Sequence, residues 1–343
     1  MCSDKMYAWL GLGWALMIMP LVHAGAQGAS VELIADPNFE QGFQIKEEGV
    51  APPPAKWMES AVPVWQINHH YSKSSFAHTE RFQFRRDGLT FEDDYGSLIV
   101  HPEDGEADVI VGLNASKEFG GLYRQAGDPW PHVYLSQRIA HPGGSGKESP
   151  SIAGMKSLPF SVSVRLLHDQ PNRKEGYNRS LHAAQFLLLF TVQNLNRQSP
   201  GYGDYYWLSI PLYDDREPVT ALHAMQDKGS PKKKATDKLI YSIGVKPFTD
   251  AVVGSGQWVT VGGDLLPHMI AGLQEAWKRG FLPASQDLAD YRLGSVILGW
   301  EVPGLNDVAI AVKDLHANAV LANPGASPGA AGGNVAPAAE TVR

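Results

Sequence analysis

One carboxylate has surroundings that could support chemistry, in the segment Gly299-Trp300-Glu301-Val302-Pro303-Gly304. If this segment is a strand, alternation places Glu301 and Gly299 on one face and Trp300 on the other. The apolar set that includes Trp300 is expected to face the core. Glu301 would then lie on an open face, beside a residue without a side chain, where a ligand could approach. Glycosidases use such carboxylates as acid, base or nucleophile. The alternative is a solvated glutamate before a Pro-Gly turn.

A second carboxylate is expected from Asp204 or Asp214, which flank an aromatic segment at 205–213. Tyr205 and Trp207 share one face of this predicted strand. Flat aromatic rings stack on the apolar faces of sugars, and tyrosine and tryptophan add a polar group. These two residues are therefore candidate substrate-binding residues, and the alternative is that they pack in a core.

A third set combines a histidine with amides and a guanidinium. His182, Gln185 and Gln193 lie at the edges of an apolar run, and Arg165 is expected on the neighbouring strand. Such polar groups need partners and could form a buried network. They could instead line a groove that binds hydroxyls or a uronate. With Tyr205, they would suit a β-eliminating lyase, in which His182 or the tyrosine takes the proton and Arg165 neutralises the carboxylate.

A further ligand contact is predicted at His132, in the alternating segment 130–137. His69, His70 and His78 match no metal-site spacing, and solvated histidines are expected there. We predict no metal and no cofactor, although the sequence leaves a structural calcium ion open.

Other catalytic motifs are absent from the sequence. It contains no phosphate-binding loop, no His-Glu-x-x-His and no Gly-x-Ser-x-Gly. The single cysteine is Cys2, so cysteine zinc sites and disulfides are excluded from the rest of the chain.

Many short apolar segments separated by Gly, Asp and Pro must position these residues. Residues 160–166 alternate as a half-buried strand, and 186–195 is long and largely apolar, as a central strand would be. A single helix is predicted near 264–279, with Pro267 at its start and Gly280 at its end. This pattern predicts an all-β, antiparallel β-sandwich over 27–322 with one helical insertion.

The chain ends have their own compositions. An apolar run from Tyr7 to Val22, followed by Ala24-Gly25-Ala26, predicts a cleavable signal peptide over 1–26. Residues 323–343 are rich in Pro, Gly and Ala and are predicted to be a disordered tail. The protein is therefore expected to be secreted or periplasmic, in a bacterial setting, without a membrane partner after cleavage.

The net charge of −7 argues against a nucleic-acid partner. The only basic run is Lys232–Lys234, in a Gly-Ser-Pro context, and is interpreted as a solvated loop. The oligomeric state is left open by the sequence.

Three segments together carry a family resemblance: the opening Asp36–Phe43, the aromatic strand at 205–213, and Trp300–Gly304. The chain resembles the concanavalin-like or jelly-roll sandwiches of secreted carbohydrate-active proteins. The resemblance implies a polysaccharide or oligosaccharide partner. It implies a hydrolase or lyase, and the alternatives are a non-catalytic glycan-binding protein and a structural protein of surface assemblies.

Overall fold

The computed structural model describes residues 30–47, 51–86, 88–139, 149–254 and 256–322. The predicted signal peptide (1–26) and tail (323–343) lie outside these ranges. Within them, none of the helices is long and apolar enough to span a bilayer.

The described residues form seventeen strands and two α-helices. In chain order the elements are β1 (Ser30–Glu32), β2 (Phe43–Lys46), β3 (Trp65–His70), β4 (Gln83–Phe84), β5 (Leu89–Glu92), β6 (Gly96–Val100), β7 (Val109–Asn114), α1 (Ala115–Glu118), β8 (His132–Arg138), β9 (Met155–Ser157), β10 (Pro159–Pro171), β11 (Gln185–Asn194), β12 (Tyr205–Asp214), β13 (His223–Gln226), β14 (Leu239–Ser242), β15 (Val259–Asp264), α2 (Leu266–Lys278), β16 (Tyr291–Glu301) and β17 (Asn306–Leu321).

The strands form two sheets. The first has nine strands in the order β15-β10-β17-β7-β6-β5-β4, with β1 and β9 also paired to β17. The second has eight strands in the order β13-β14-β12-β11-β16-β8-β3-β2. All pairs are antiparallel except β12 with β14 and β2 with β3. The predicted two-sheet sandwich is therefore confirmed, with two parallel pairs that were not expected.

The core lies between the sheets and is built by alternation. On β11, Phe186, Leu188, Phe190 and Val192 are all fully buried, while Gln185 is half-buried on the other face. Trp300 on β16 is fully buried, and its indole N–H donates to the Val111 carbonyl of the first sheet at 2.9 Å. The prediction that Trp300 faces the core is therefore correct. The outer face of the second sheet carries the intervening residues.

The predicted helix is confirmed as α2, with its start two residues later than expected. Asp264 ends β15, and its Oδ1 accepts hydrogen bonds from the backbone N–H of Leu158 and Leu266. This carboxylate joins the strand to the first turn of the helix. Gly280, with φ +81°, follows the helix in the left-handed conformation that favours glycine there.

Candidate functional site

Strand register brings five polar side chains into one row on the outer face of the second sheet. Gln185 on β11 pairs with Asp214 on β12 and with Glu301 on β16. Glu301 pairs in turn with His132 on β8, and His132 pairs with His70 on β3. Four of the residues predicted from the sequence, Gln185, Asp214, Glu301 and His132, thus lie on neighbouring strands in this row.

Glu301 is held by two hydrogen-bond donors of its own sheet face. Its Oε2 accepts a hydrogen bond from the indole N–H of Trp130 at 3.1 Å, and its Oε1 accepts one from the hydroxyl of Tyr134. The side chain is 20% exposed. These two donors fix the orientation of the carboxylate. Glu301 is therefore a preorganised carboxylate with solvent access.

His132 lies beside this carboxylate and is only 8% exposed. Its Nε2 is 3.7 Å from Glu301 Oε2, too far for a hydrogen bond, and has no other hydrogen-bond partner among the described residues. Burial lowers the pKa of His132 to about 4, against the smaller opposing effect of the Glu301 charge. At neutral pH this imidazole is uncharged.

Gly299 was expected to leave open space beside Glu301, and that expectation is wrong. The ring of Tyr134, on the adjacent strand, lies over Gly299. The glycine therefore makes room for a protein side chain, and a ligand must approach Glu301 from another direction.

Asp214, one of the two expected partner carboxylates, is held in an ion pair. Its oxygens accept from Arg216 Nε at 2.9 Å and Arg216 Nη2 at 2.8 Å, and from Gln185 Nε2 at 2.7 Å. The side chain is 4% exposed. Its charge is balanced by Arg216, so Asp214 is a structural group at the edge of the row.

Asp204, the other expected partner, lies at the far end of the face. It precedes Tyr205, which pairs with Gln193, whereas Glu301 pairs with Gln185 at the opposite end of β11. Eight residues of strand separate these positions by about 27 Å. Carboxylate pairs in glycosidases are about 5–9.5 Å apart. Asp204 is also ion-paired with Lys238 at 3.0 Å, and the structure does not bring it to Glu301.

Tyr205 and Trp207 lie on the same outer face as Glu301, not in the core. The buried residues of β12 alternate with them, beginning with Tyr206 and Leu208. Their two rings meet edge to face, with centroids 5.2 Å apart. The sequence prediction that both share one face is confirmed, and the alternative of core packing is wrong.

His182 is 2% exposed and lies in a loop junction. Its Nδ1 accepts from the Asn178 backbone N–H at 2.9 Å, and its Nε2 donates to the Arg124 carbonyl at 3.1 Å. The ring also stacks on Tyr123, with centroids 4.3 Å apart. Both ring nitrogens are occupied by backbone groups, so this histidine supports the loop that carries Arg124 and Trp130.

Arg165 was expected next to the strand that follows His182, and this placement is wrong. It lies on β10 in the first sheet, which pairs with β15 and β17. Its guanidinium pairs with Glu106 at 2.5 Å and lies 4.9 Å from the ring centre of Trp258. Arg165 and Glu301 are therefore in different sheets.

The lysine run, expected to be a solvated loop, crosses the outer face of the second sheet. We call residues 227–238, between β13 and β14, the strap. The Lys232 ammonium pairs with Asp128 at 2.6 Å, and the Lys233 ammonium lies 4.0 Å from the ring centre of Trp130. Because β13 and β14 are at one edge of the sheet and Trp130 precedes β8, the strap spans several strands.

The three histidines considered for a metal point to different surroundings. His69 lies 3.4 Å from Glu47, and His78 bonds Glu80 at 3.1 Å. His70 belongs to the outer-face row, with its ring 6.2 Å from that of His132. In the described ranges, no group of three or more His, Cys, Asp or Glu residues could hold a metal ion.

Trp130 and Tyr134 were not predicted as partners of Glu301. The alternation of 130–137 was visible in the sequence, and it placed Tyr134 on the face of His132. What was missing was the pairing of β8 with β16, which the sequence alone does not encode in any local pattern.

No protein-family model matches the chain, and no curated protein matches it. Solved structures do show similarity at low identity. A family 12 xyloglucanase from Bacillus licheniformis aligns with a TM-score of 0.39 and 10% identity, covering 74% of this chain and 99% of that one. A family 11 xylanase from Neocallimastix patriciarum aligns with a TM-score of 0.36 and 11% identity, covering 74% of this chain and 95% of that one. A metagenome-derived family 12 endoglucanase aligns with a TM-score of 0.36 and 14% identity, covering 75% of this chain and 98% of that one.

Proposed function

We propose that this protein binds a glycan chain on the outer face of its second sheet. The observation that carries the proposal is the presence of two outward aromatic groups on that one face. Tyr205 and Trp207 form the first group, and Trp130 and Tyr134 form the second, around the carboxylate of Glu301. Aromatic rings offer stacking surfaces for sugars, and Glu301 offers acceptors for hydroxyl groups.

The spacing of these groups favours an oligosaccharide over a single sugar. Trp207 pairs with Thr191, six residues along β11 from the Gln185 that pairs with Glu301. Six residues of strand correspond to about 20 Å. A ligand that contacts both groups must therefore extend across much of the sheet.

Binding to a panel of neutral and acidic polysaccharides tests this proposal, by affinity electrophoresis and calorimetry on the full chain. Trp207→Ala is expected to lower affinity about tenfold, which corresponds to about 1.4 kcal/mol of lost stacking. The matched control is Trp258→Ala, a half-buried tryptophan that contacts Arg165 and Lys313 on the first sheet. Equal losses in the two variants, or no binding by the wild type, would overturn the proposal.

Cleavage of the bound glycan is the second candidate function. It is favoured by one observation: Glu301 is held by two donors beside a buried, uncharged His132. Such a carboxylate could serve as a nucleophile or base in hydrolysis. The residues expected as its partner, Asp204 and Asp214, are ion-paired elsewhere, so binding is the stronger proposal.

Export of the chain is part of the same proposal, because an exported protein can reach a glycan outside the cell. It is supported by the apolar run and the small-residue site that end at Ala26. Mass spectrometry of the protein recovered from an exporting bacterial host is expected to find Gln27 at the amino terminus. Recovered protein that still begins at Met1 would contradict the predicted cleavage after Ala26.

A further inference from the structure

The strap already contacts both aromatic groups to which the proposed function assigns the glycan. The indole N–H of Trp207 donates to Thr236 Oγ1 at 3.1 Å, and the Lys233 ammonium lies 4.0 Å above Trp130. Next to the end of β3, the backbone N–H of Lys234 in the strap donates to the hydroxyl of Tyr71 at 3.3 Å. A sugar stacked on Trp130 would compete with Lys233 for the same ring.

The strap has no apolar anchor. Its twelve positions include five lysines, and Pro231 and Ala235 are its only apolar residues apart from one glycine. None of its residues is buried. Segments with few buried contacts open at a small free-energy cost compared with core strands. The closed position is therefore maintained by polar contacts alone.

Besides the contact between Lys233 and Trp130, two contacts hold the tip of the strap to the loop before β8. Ser230 Oγ donates to the Gly127 carbonyl at 2.6 Å, and Lys232 pairs with Asp128 at 2.6 Å. The Lys232 side chain is 69% exposed, so salt screens this ion pair. The face that the strap crosses includes the half-buried apolar side chains of Leu189 and Ile297. Opening would free the rings of Trp130 and Trp207 from the strap.

We propose that the strap is an autoinhibitory cover, and that a ligand reaches Trp130 and Trp207 only after the tip detaches from Gly127 and Asp128. The identity of the ligand rests on the proposed function, whereas the opening of the strap does not. Added salt weakens the tip contacts and should speed association with an uncharged glycan.

A disulfide can lock the tip and test the proposal. A Cβ atom placed on Gly127 would lie 3.8 Å from the Cβ of Ser230, the separation found in disulfides. Since Cys2 is the only native cysteine, the double variant G127C/S230C in the full chain with Cys2→Ser contains one defined pair. Gly127 has φ +84°, which strains any other residue. The reduced form of the same protein carries that strain too and is the matched control.

Association with a glycan retained by the wild type is expected to be at least tenfold slower in the oxidised form than in the reduced form. Equal association rates in the oxidised and reduced forms would overturn the proposal that the strap is a cover.

A second readout needs no ligand. Hydrogen exchange of the backbone in 227–238 is expected to be at least tenfold slower in the oxidised form, while exchange of 186–192 on β11 is unchanged. If the wild type binds no glycan, the proposed function fails, and this exchange measurement alone tests whether the strap opens as a cover. Equal exchange of the strap in both forms would show that it does not open, and would reject the proposal.

Discussion

The ring of Tyr134 fills the space left by the missing side chain of Gly299. A Cβ atom on Gly299 would lie 3.0 Å from Tyr134 Cδ1 and 2.0 Å from the carbonyl oxygen of Val133. The hydroxyl of the same tyrosine donates to Glu301, two residues further along β16. The glycine thus has a role in the site, because it admits the ring that orients the carboxylate.

Gly299→Ala is expected to destabilise the protein by about 3 kcal/mol, the upper part of the range for overpacking. The clash is with a backbone oxygen of the neighbouring strand, which cannot rotate away. Urea unfolding measures the change. Gly254→Ala is the control, because the atom nearest to its added Cβ, Val252 O, is 4.0 Å away, and its effect should stay within about 0.5 kcal/mol. Similar losses in both variants would contradict this account of Gly299.

Tyr134→Phe is expected to cost about 1.5–3 kcal/mol of unfolding free energy, because a hydrogen bond to a charged acceptor is lost. Trp130 then remains as the donor to Glu301. Tyr202→Phe provides the comparison, since Tyr202 is 50% exposed and its hydroxyl makes no hydrogen bond within the described ranges. Should the two tyrosine variants unfold at the same urea concentration, the Tyr134–Glu301 bond would contribute nothing to stability.

His132 makes stability depend on pH in a defined window. Its pKa is about 4 when folded and about 6.5 when unfolded, so the unfolded state binds more protons between these values. The contribution of the neutral His132 to the free energy of unfolding is complete above pH 6.5 and is lost as the pH falls towards 4. It amounts to about 2–3 kcal/mol between pH 7.5 and 4.5.

The measurement is urea unfolding of wild type and His132→Gln at these two pH values, with His223→Gln as the control on the exposed edge strand β13. The His132 variant should lose less stability on acidification than the wild type by that amount. If wild type and His132→Gln lose the same unfolding free energy between pH 7.5 and 4.5, His132 titrates normally in the fold.

Glu301→Gln separates cleavage from binding. If the face cleaves glycans, this variant is expected to lose at least about 100-fold in turnover while it keeps its affinity. The control Asp204→Asn removes a carboxylate about 27 Å away and should retain activity. Release of reducing ends, with ultraviolet absorbance of unsaturated products, measures hydrolysis and elimination together. Wild-type protein that releases neither would reject cleavage and leave the binding proposal in place.

Local patterns in the sequence were sufficient to predict the faces of the central strands. Alternation placed Trp300 inward and Glu301 outward, and it placed Tyr205 and Trp207 on one face, as observed. It also predicted α2 from apolar spacing and its end at Gly280. These predictions succeeded because period and burial are encoded within a few residues.

Relationships between distant segments could not be predicted in this way. β10 and β11 follow each other in the chain but belong to different sheets, so Arg165 is separated from Gln185. Asp204 and Glu301 were considered as a pair because nothing local defines the register of β12 and β16 against β11. Lys232–Lys234 were interpreted as a solvated loop, and Lys232 and Lys234 are exposed. The contact of Lys233 with Trp130 was not predicted, because the two residues are about a hundred positions apart in the sequence.

The position of β17 has a consequence for how the chain folds. This last strand pairs with both β10 and β7 in the middle of the first sheet, and Val320 near its end pairs with Ser30 at the start of the described chain. Contacts of such large sequence separation carry a high loop-closure entropy and slow the folding reaction. Until residue 321 has emerged, β10 and β7 present unpaired edges, which attract other chains. Truncation within β17 should therefore yield aggregates, and folding of the first sheet must wait until β17 has been synthesised.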